Sequence, residues 1–184
     1  MSRPPPGRTT AIVVRPAAVS DAEAVAGIEI AAWKTAHRGI VPDPVLDGLD
    51  LEHEAATWRE RLRDQDVVRV SVAELGEPPA PRRPAGYITE GPARGDDEAG
   101  LGEIWAIDVN PAVHGRGVGR ALMDAAGRGL ATRGFAEAIL RVFEANAPAR
   151  GFYERLGWVQ DGASKPYEIG GAAPVELRYR RRLG

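Results

Sequence analysis

The chain has 184 residues, enough for one domain that buries roughly two-thirds of its unfolded surface. A hydrophobic share of 43% and a charged share of 27% are ordinary for a globular protein, and a net charge of −2 supplies no field that would gather nucleic acid or an anionic membrane. Without cysteine there is no disulfide, thiolate nucleophile or Cys-bearing zinc site; the three histidines, His37, His53 and His114, show no ligand spacing, so no metal is expected.

Residues 1–10 hold three prolines and no apolar run, which predicts a disordered leader ahead of a single domain over 11–184. No signal peptide and no stretch of membrane-spanning length is read, so the expected location is cytoplasmic. Ala11 to Arg15 alternates weakly as a first strand closed by Pro16. Ser20-Asp21-Ala22-Glu23 has the spacing of a capping box, with Ser20 as the N-cap of a helix that carries Val25, Ile28 and Ala32 on one face. Residues 38–50 read as loop, and a Glu- and Arg-rich helix is expected from Leu51 to Arg63. Val68, Val70 and Val72 recur at period two, a half-buried strand. A proline-rich turn at 76–84 leads to a strand at 85–90, then an acidic loop at 91–100 and a strand at 102–109. A helix from Gly117 to about Arg133, a strand at 138–143, a helix at 148–156 opened by Pro148, and short strands near 158–160 and 175–181 complete the chain. The order β-α-α-β-β-β-α-β-α-β-β predicts an α/β fold with a mixed, mostly antiparallel sheet, because the strand–helix–strand crossover forces a parallel pair.

The most informative run is Asp108-Val109-Asn110-Pro111-Ala112-Val113-His114-Gly115-Arg116-Gly117-Val118-Gly119-Arg120. A strand ends at Pro111 and a glycine-studded turn feeds straight into a helix. Such a turn leaves backbone N–H groups unpartnered at the positive end of the helix dipole, a seat for a phosphate or pyrophosphate. Downstream stands Asn146-Ala147-Pro148-Ala149-Arg150-Gly151-Phe152-Tyr153-Glu154-Arg155-Leu156-Gly157-Trp158.

Together these segments resemble the GCN5-related N-acetyltransferase (GNAT) superfamily over nearly the whole chain. His114-Gly115-Arg116-Gly117-Val118-Gly119 is similar to its Gln/Arg-x-x-Gly-x-Gly/Ala signature, and the Asn146 segment to its Asn-x-x-Ala-x-x-x-Tyr-x-x-x-Gly-aromatic stretch. Trp33 to Asp43 resembles a Trp-x-x-x-Tyr-x-Gly pattern with His37 where Tyr is usual, and His114 departs from Gln/Arg. The resemblance implies an acyltransferase that moves an acetyl group from acetyl-CoA to a primary amine by direct attack in a ternary complex, with a central strand pair splayed to admit the cosubstrate. It implies that the amides from His114 through Gly115, Arg116, Gly117, Val118, Gly119 and Arg120 hold the pyrophosphate, with charge from Arg116 or Arg120. Ile107, Val109 and Asn146 are then expected to hold the pantetheine arm, Glu103 to act as base and Tyr153 as acid. Trp33, His37 and Trp105 are candidates for the acceptor pocket. A homodimer is a family expectation.

Strict alternation along 102–109 would put Asp108 on the face opposite Glu103, which ranks it below Glu103 as a base. Glu103 can also be read as an ion-paired strand residue, Asn146 as a helix cap, Tyr153 and Trp58 as packing, and the two arginines as surface charge, since all 24 basic residues but Lys34 and Lys165 are arginine. An acyl-CoA-binding module without catalysis is the alternative function. A dinucleotide oxidoreductase is set aside, because Leu122 stands where the third glycine of its fingerprint belongs.

Overall fold

Seven strands form one sheet in the computed structural model, which describes residues 11–76, 83–95 and 98–184. They are β1 (Ile12–Pro16), β2 (Arg69–Leu75), β3 (Arg83–Pro92), β4 (Gly102–Val109), β5 (Glu137–Phe143), β6 (Val159–Pro166) and β7 (Val175–Arg182), in the spatial order β1-β2-β3-β4-β5-β7-β6. The helices are α1 (Ala22–Ala36), α2 (Asp43–Asp47), α3 (Leu51–Arg61), α4 (Val118–Thr132) and α5 (Ala147–Arg155). Every strand pair is antiparallel except β4 with β5, the pair joined by the α4 crossover. The fold class read from the sequence is therefore the one observed. The leader at 1–10, residues 77–82 of the proline-rich turn and residues 96–97 of the acidic loop lie outside the described residues.

The period-two strands give the sheet two apolar faces. On one, α1 and α3 bury Val25, Ala26, Ile28, Ala55, Trp58 and Leu62 against Val70, Val72 and Tyr87. On the other, Leu122, Met123 and Leu130 of α4 and Tyr153 of α5 cover Ile88, Ile104, Leu140, Val142, Leu177 and Tyr179. Leu122, Leu130 and Ile88 are fully buried; each such side chain contributes about 2 kcal/mol by leaving water.

The site is created where this sheet fails to close. β4 and β5 pair only through Gly102, Glu103 and Ile104 against Ala138, Ile139 and Leu140. Beyond Ile104 β4 stays on β3 as far as Val109, and β5 stays on β7 as far as Phe143. A bulge causes the parting: Thr89 faces Ala106 but Glu90 faces Ile104, so Trp105 is an extra residue on β4. An inserted residue bends and over-twists its strand, here away from β5.

Three local expectations are corrected. Ser20 does not cap α1; residues 19–21 form a 3-10 turn in which the Asp21 carboxylate accepts the Ala18 N–H at 2.8 Å and two bonds from Arg15 at 2.7 and 2.9 Å. A charged acceptor with a guanidinium partner outcompetes a hydroxyl. The loop at 38–50 contains α2, too short to show periodicity, with Pro44 in the first turn where a missing N–H costs nothing. The strand near 158–160 extends to Pro166 as a nearly all-exposed edge strand, whose polar sequence has no buried face to signal it.

Asp21 is buried and its pKa is lowered, chiefly by the hydrogen bonds from Arg15. With the folded value below the unfolded one, its stabilisation is present above about pH 4 and is lost as pH falls through the folded pKa. Asp21→Ala should lower stability by about 2–3 kcal/mol in urea denaturation at pH 7, with the deficit shrinking toward pH 2; an undiminished deficit in acid would refute the ion pair's role.

Candidate active site

Gly117 precedes α4 with φ 86°, in the left-handed region, and Gly115 has φ 76°. Side chains adopt this backbone poorly, so glycine lets the chain turn from the short 3-10 segment at 111–113 directly into the helix. The first bond of α4 runs from the Ala121 N–H to the Gly117 carbonyl at 3.0 Å. Among the described residues, the N–H groups of Gly115, Gly117, Val118 and Gly119 donate to no protein acceptor. They lie at or just before the positive end of a 15-residue helix. Two predicted members differ: the His114 and Arg116 N–H groups make long bonds to Pro111 and Val113 carbonyls, at 3.3 and 3.4 Å. The His114 ring instead ties the turn to β4, with Nε2 at 3.1 Å from the Val109 carbonyl oxygen. Arg120 is exposed and 3.7 Å from Asp124.

The parted strands lead away from this turn. Ile107 and Val109 lie on the open half of β4, their side chains packed into the core under α4. Asn146 follows β5 and is buried; its side-chain oxygen caps α5 by accepting the Ala149 N–H at 3.2 Å. The cap reading of Asn146 thus holds, and it leaves the amide nitrogen without a partner among the described residues. Tyr153 comes from α5. Its ring sits in the core beside Phe152, while its hydroxyl has no hydrogen-bond partner among the described residues. Burial, and next the charge of Asp108, push its pKa up, so it holds its proton firmly.

Glu103 lies at the closed end of the opening, 1% exposed. Arg94 grips both of its oxygens: Nη2 donates to Oε1 at 2.7 Å, and Nε and the backbone N–H donate to Oε2 at 3.1 Å. The guanidinium also lies over Trp105, 4.6 Å from the ring centroid. Accepting a proton at Glu103 would break this clamp.

The expected orientation of Asp108 is corrected by the bulge. Ile104, Ile107 and Val109 point to the α4 face, whereas Ala106 packs with the α1–α3 cluster. The extra residue at Trp105 resets the alternation, so Asp108 shares a face with Glu103. There the Tyr87 hydroxyl donates to Asp108 Oδ2 at 2.7 Å. Burial, opposed by that bond and reinforced by Glu29, raises the Asp108 pKa to about 7. Glu29, on α1, accepts from Trp58 Nε1 at 2.6 Å, and burial raises its pKa too. Glu29, Tyr87 and Arg94 were not singled out from the sequence. For Glu29 the signal existed: it stands four residues after Val25, on the apolar stripe of α1, where a carboxylate needs a reason.

Of the three predicted pocket residues, Trp105 and Trp33 line separate cavities that share Glu29, and His37 lines neither. Trp105 helps line one of about 420 Å³ with Glu29, Trp58, Arg61, Arg94 and Thr89. Trp33 lines another of about 230 Å³ with Glu29, Val45, Leu49 and Ile169. His37 stands edge-on between Trp33 and Phe143, at 4.7 and 5.2 Å between ring centroids, with its Nδ1 buried and without a hydrogen-bond partner among the described residues. The β6–β7 hairpin roofs this region, the left-handed Gly170 lying directly on Val45 and Pro42.

The chain belongs to the acetyltransferase (GNAT) family, whose model matches residues 32–158, and is an enzyme of that class. It is 28% identical to the uncharacterized N-acetyltransferase YuaI of Bacillus subtilis (strain 168), across 90% of both chains. It is 38% identical over 93 residues to the mycothiol acetyltransferase of Acidothermus cellulolyticus, covering half of this chain but only 28% of that relative's length. Its fold matches the PaiA N-acetyltransferase of Thermoplasma acidophilum, solved in complex with coenzyme A, at a TM-score of 0.67, 17% identity and coverage of 94% and 99%. Among the described residues no helix is long and apolar enough to cross a membrane.

Burial lowers the His37 pKa to about 4, since the charged imidazolium loses its hydration among aromatic rings. Its ring should stay neutral down to roughly that pH. NMR titration should find the His37 side chain still neutral until about pH 4, and His37→Gln should remove that resonance; an ordinary titration of His37 near 6.5 would overturn the packing described.

Proposed function

We propose that this protein transfers the acetyl group of acetyl-CoA to a primary amine by direct attack within a ternary complex. The observation that carries the reading is the conjunction of two openings: β4 and β5 part after Ile104, and four amides without a partner among the described residues stand at the start of α4. The coenzyme A complex of the PaiA neighbour supports acetyl-CoA as the cosubstrate.

In this reading the pyrophosphate sits on the N–H groups of Gly115, Gly117, Val118 and Gly119, with the α4 dipole behind them and Arg116 and Arg120 at the rim. The pantetheine arm adds to the open edge of β4 as a short extra strand, using backbone groups of Ile107 and Val109, and takes a hydrogen bond from the Asn146 amide. The thioester then lies in the gap, where a backbone N–H of the bulged strand meets the oxyanion. Tyr153 gives its phenolic proton to the departing thiolate. The hydroxyl has no hydrogen-bond partner among the described residues, and its raised pKa keeps it protonated until the sulfur anion forms beside it. Glu103 holds Arg94 against Trp105 and so shapes the acceptor side, where Trp33 and His37 form a second wall. A cytoplasmic location accords with the cosubstrate.

Gly117→Asp would set a carboxylate against the pyrophosphate, a repulsion of about 4 kcal/mol at close range near a protein surface. Calorimetry should show acetyl-CoA affinity falling by at least about a hundredfold, while the uncharged Gly117→Asn, which tolerates the left-handed backbone, stays within about tenfold. Equal affinity in both variants would remove the pyrophosphate from this turn. Tyr153→Phe should lower kcat by roughly a hundredfold with acetyl-CoA affinity unchanged, the signature of a lost proton donor. Wild-type turnover in that variant would exclude it from the chemistry.

A further inference from the structure

The transfer needs its amine deprotonated. With Glu103 held by Arg94, a different set of groups is better placed to do it. Asp108 lies on the parted half of β4, on the acceptor face, partly exposed. Its charge is felt by Tyr153 across the gap. Behind it the Tyr87 hydroxyl donates at 2.7 Å, and Glu29 approaches the same hydroxyl from α1. Glu29 in turn accepts from Trp58 Nε1 and lines the cavity of about 420 Å³. A phenol has one hydrogen, so it can satisfy only one of two ionised carboxylates at a time. The line is electrostatically balanced when a single further proton is present, on Asp108 or on Glu29, with Tyr87 passing it between them.

We propose that Asp108 is the group that takes the acceptor amine's proton, and that Tyr87 and Glu29 are positioning residues that carry this proton from the gap to the cavity on the α1–α3 side. The inference rests on the transferase reading above. The acceptor ammonium gives a proton to the Asp108 carboxylate, and the electron pair left on nitrogen forms the C–N bond to the thioester carbon. The C–S bond breaks with its pair on sulfur, which takes the Tyr153 proton. The nitrogen's second proton makes good that loss, and the proton on Asp108 leaves through Tyr87 and Glu29 to water. Acetylated amine, thiol and one released proton balance the ammonium and thioester consumed.

The groups facing the line are few: Tyr87 from β3, Glu29 from α1 and Tyr153 from α5 around Asp108, with Arg61 and Glu54 from α3 near Glu29. Their signs give the two positioning residues opposite effects. The Tyr87 hydrogen bond lowers the Asp108 pKa and the Glu29 charge raises it.

The experiment follows thiol release from acetyl-CoA against pH, with the fastest amine from a panel of tyramine, spermidine, glycinamide and an N-acetylated lysine amide. Wild-type kcat/KM should rise through an inflection near pH 7. Asp108→Asn should lose at least about a hundredfold while keeping its acetyl-CoA affinity, a loss in the range that removal of a general base produces. Tyr87→Phe should move the inflection to higher pH and Glu29→Gln to lower pH, whereas Glu103→Gln should leave the inflection in place. A second arm needs no acceptor: carbon-13 NMR of aspartate carboxyl groups should show one titrating near neutrality, absent in Asp108→Asn and displaced in those two directions in the other variants. Near-wild-type turnover by Asp108→Asn, shifts of the same sign, or no carboxyl titrating near neutrality overturns the proposal. Absence of thiol release by the wild-type protein with every amine would count against the transferase reading itself, and the NMR arm would then still decide whether the line exists.

Discussion

One extra residue in a strand governs the rest of this structure. Without the bulge at Trp105, β4 would continue alongside β5, its backbone groups would pair, and no slot would cross the sheet. The same insertion turns Asp108 toward Glu103, so a single backbone irregularity both opens the gap and sets which side chains overlook it. The local backbone geometry, more than any one side chain, makes the site.

The closed end is fastened as firmly as the other end is open. Glu103 on β4 holds Arg94, and Glu98 holds both Arg141 on β5 and Arg178 on β7, so residues 94 and 98 of the β3–β4 connection tie β4 to the paired strands on the other side of the gap. Glu98 and Glu103 are buried and fully partnered. Removing one member of such a pair strands a charge, which costs several kcal/mol. The opening is therefore a wedge with a rigid apex, and a ligand entering it meets strands already separated.

Much of this was legible from the residues. Period-two valines marked β2, and the glycine run before Val118 marked both the turn and its open amides, because those signals are local. What the residues did not show has longer-range causes. Asp108 was turned by a bulge that depends on how β3 and β4 register. The Arg94 clamp on Glu103 was not legible, because Arg94 comes from a loop whose course the sequence does not announce. Ser20 lost the cap to Asp21 because Arg15 on β1 reaches that carboxylate. Glu29 could have been found as a charge on an apolar stripe; Tyr87 could not, since a tyrosine in a buried strand is ordinary packing until its hydroxyl's neighbours are known.

The seating of Gly170 on Val45 and Pro42 has a consequence for how this scaffold diversifies. Because a methyl group at that hairpin tip would run into the Val45 side chain, and the backbone there is left-handed, any side chain at this position would force the tip or Val45 to shift. The gap, the amides and Tyr153 would be untouched by such a change. The shape of the smaller cavity, lined by Val45 and Ile169, can thus be altered at one position that belongs to neither the parted strands nor the open helix terminus.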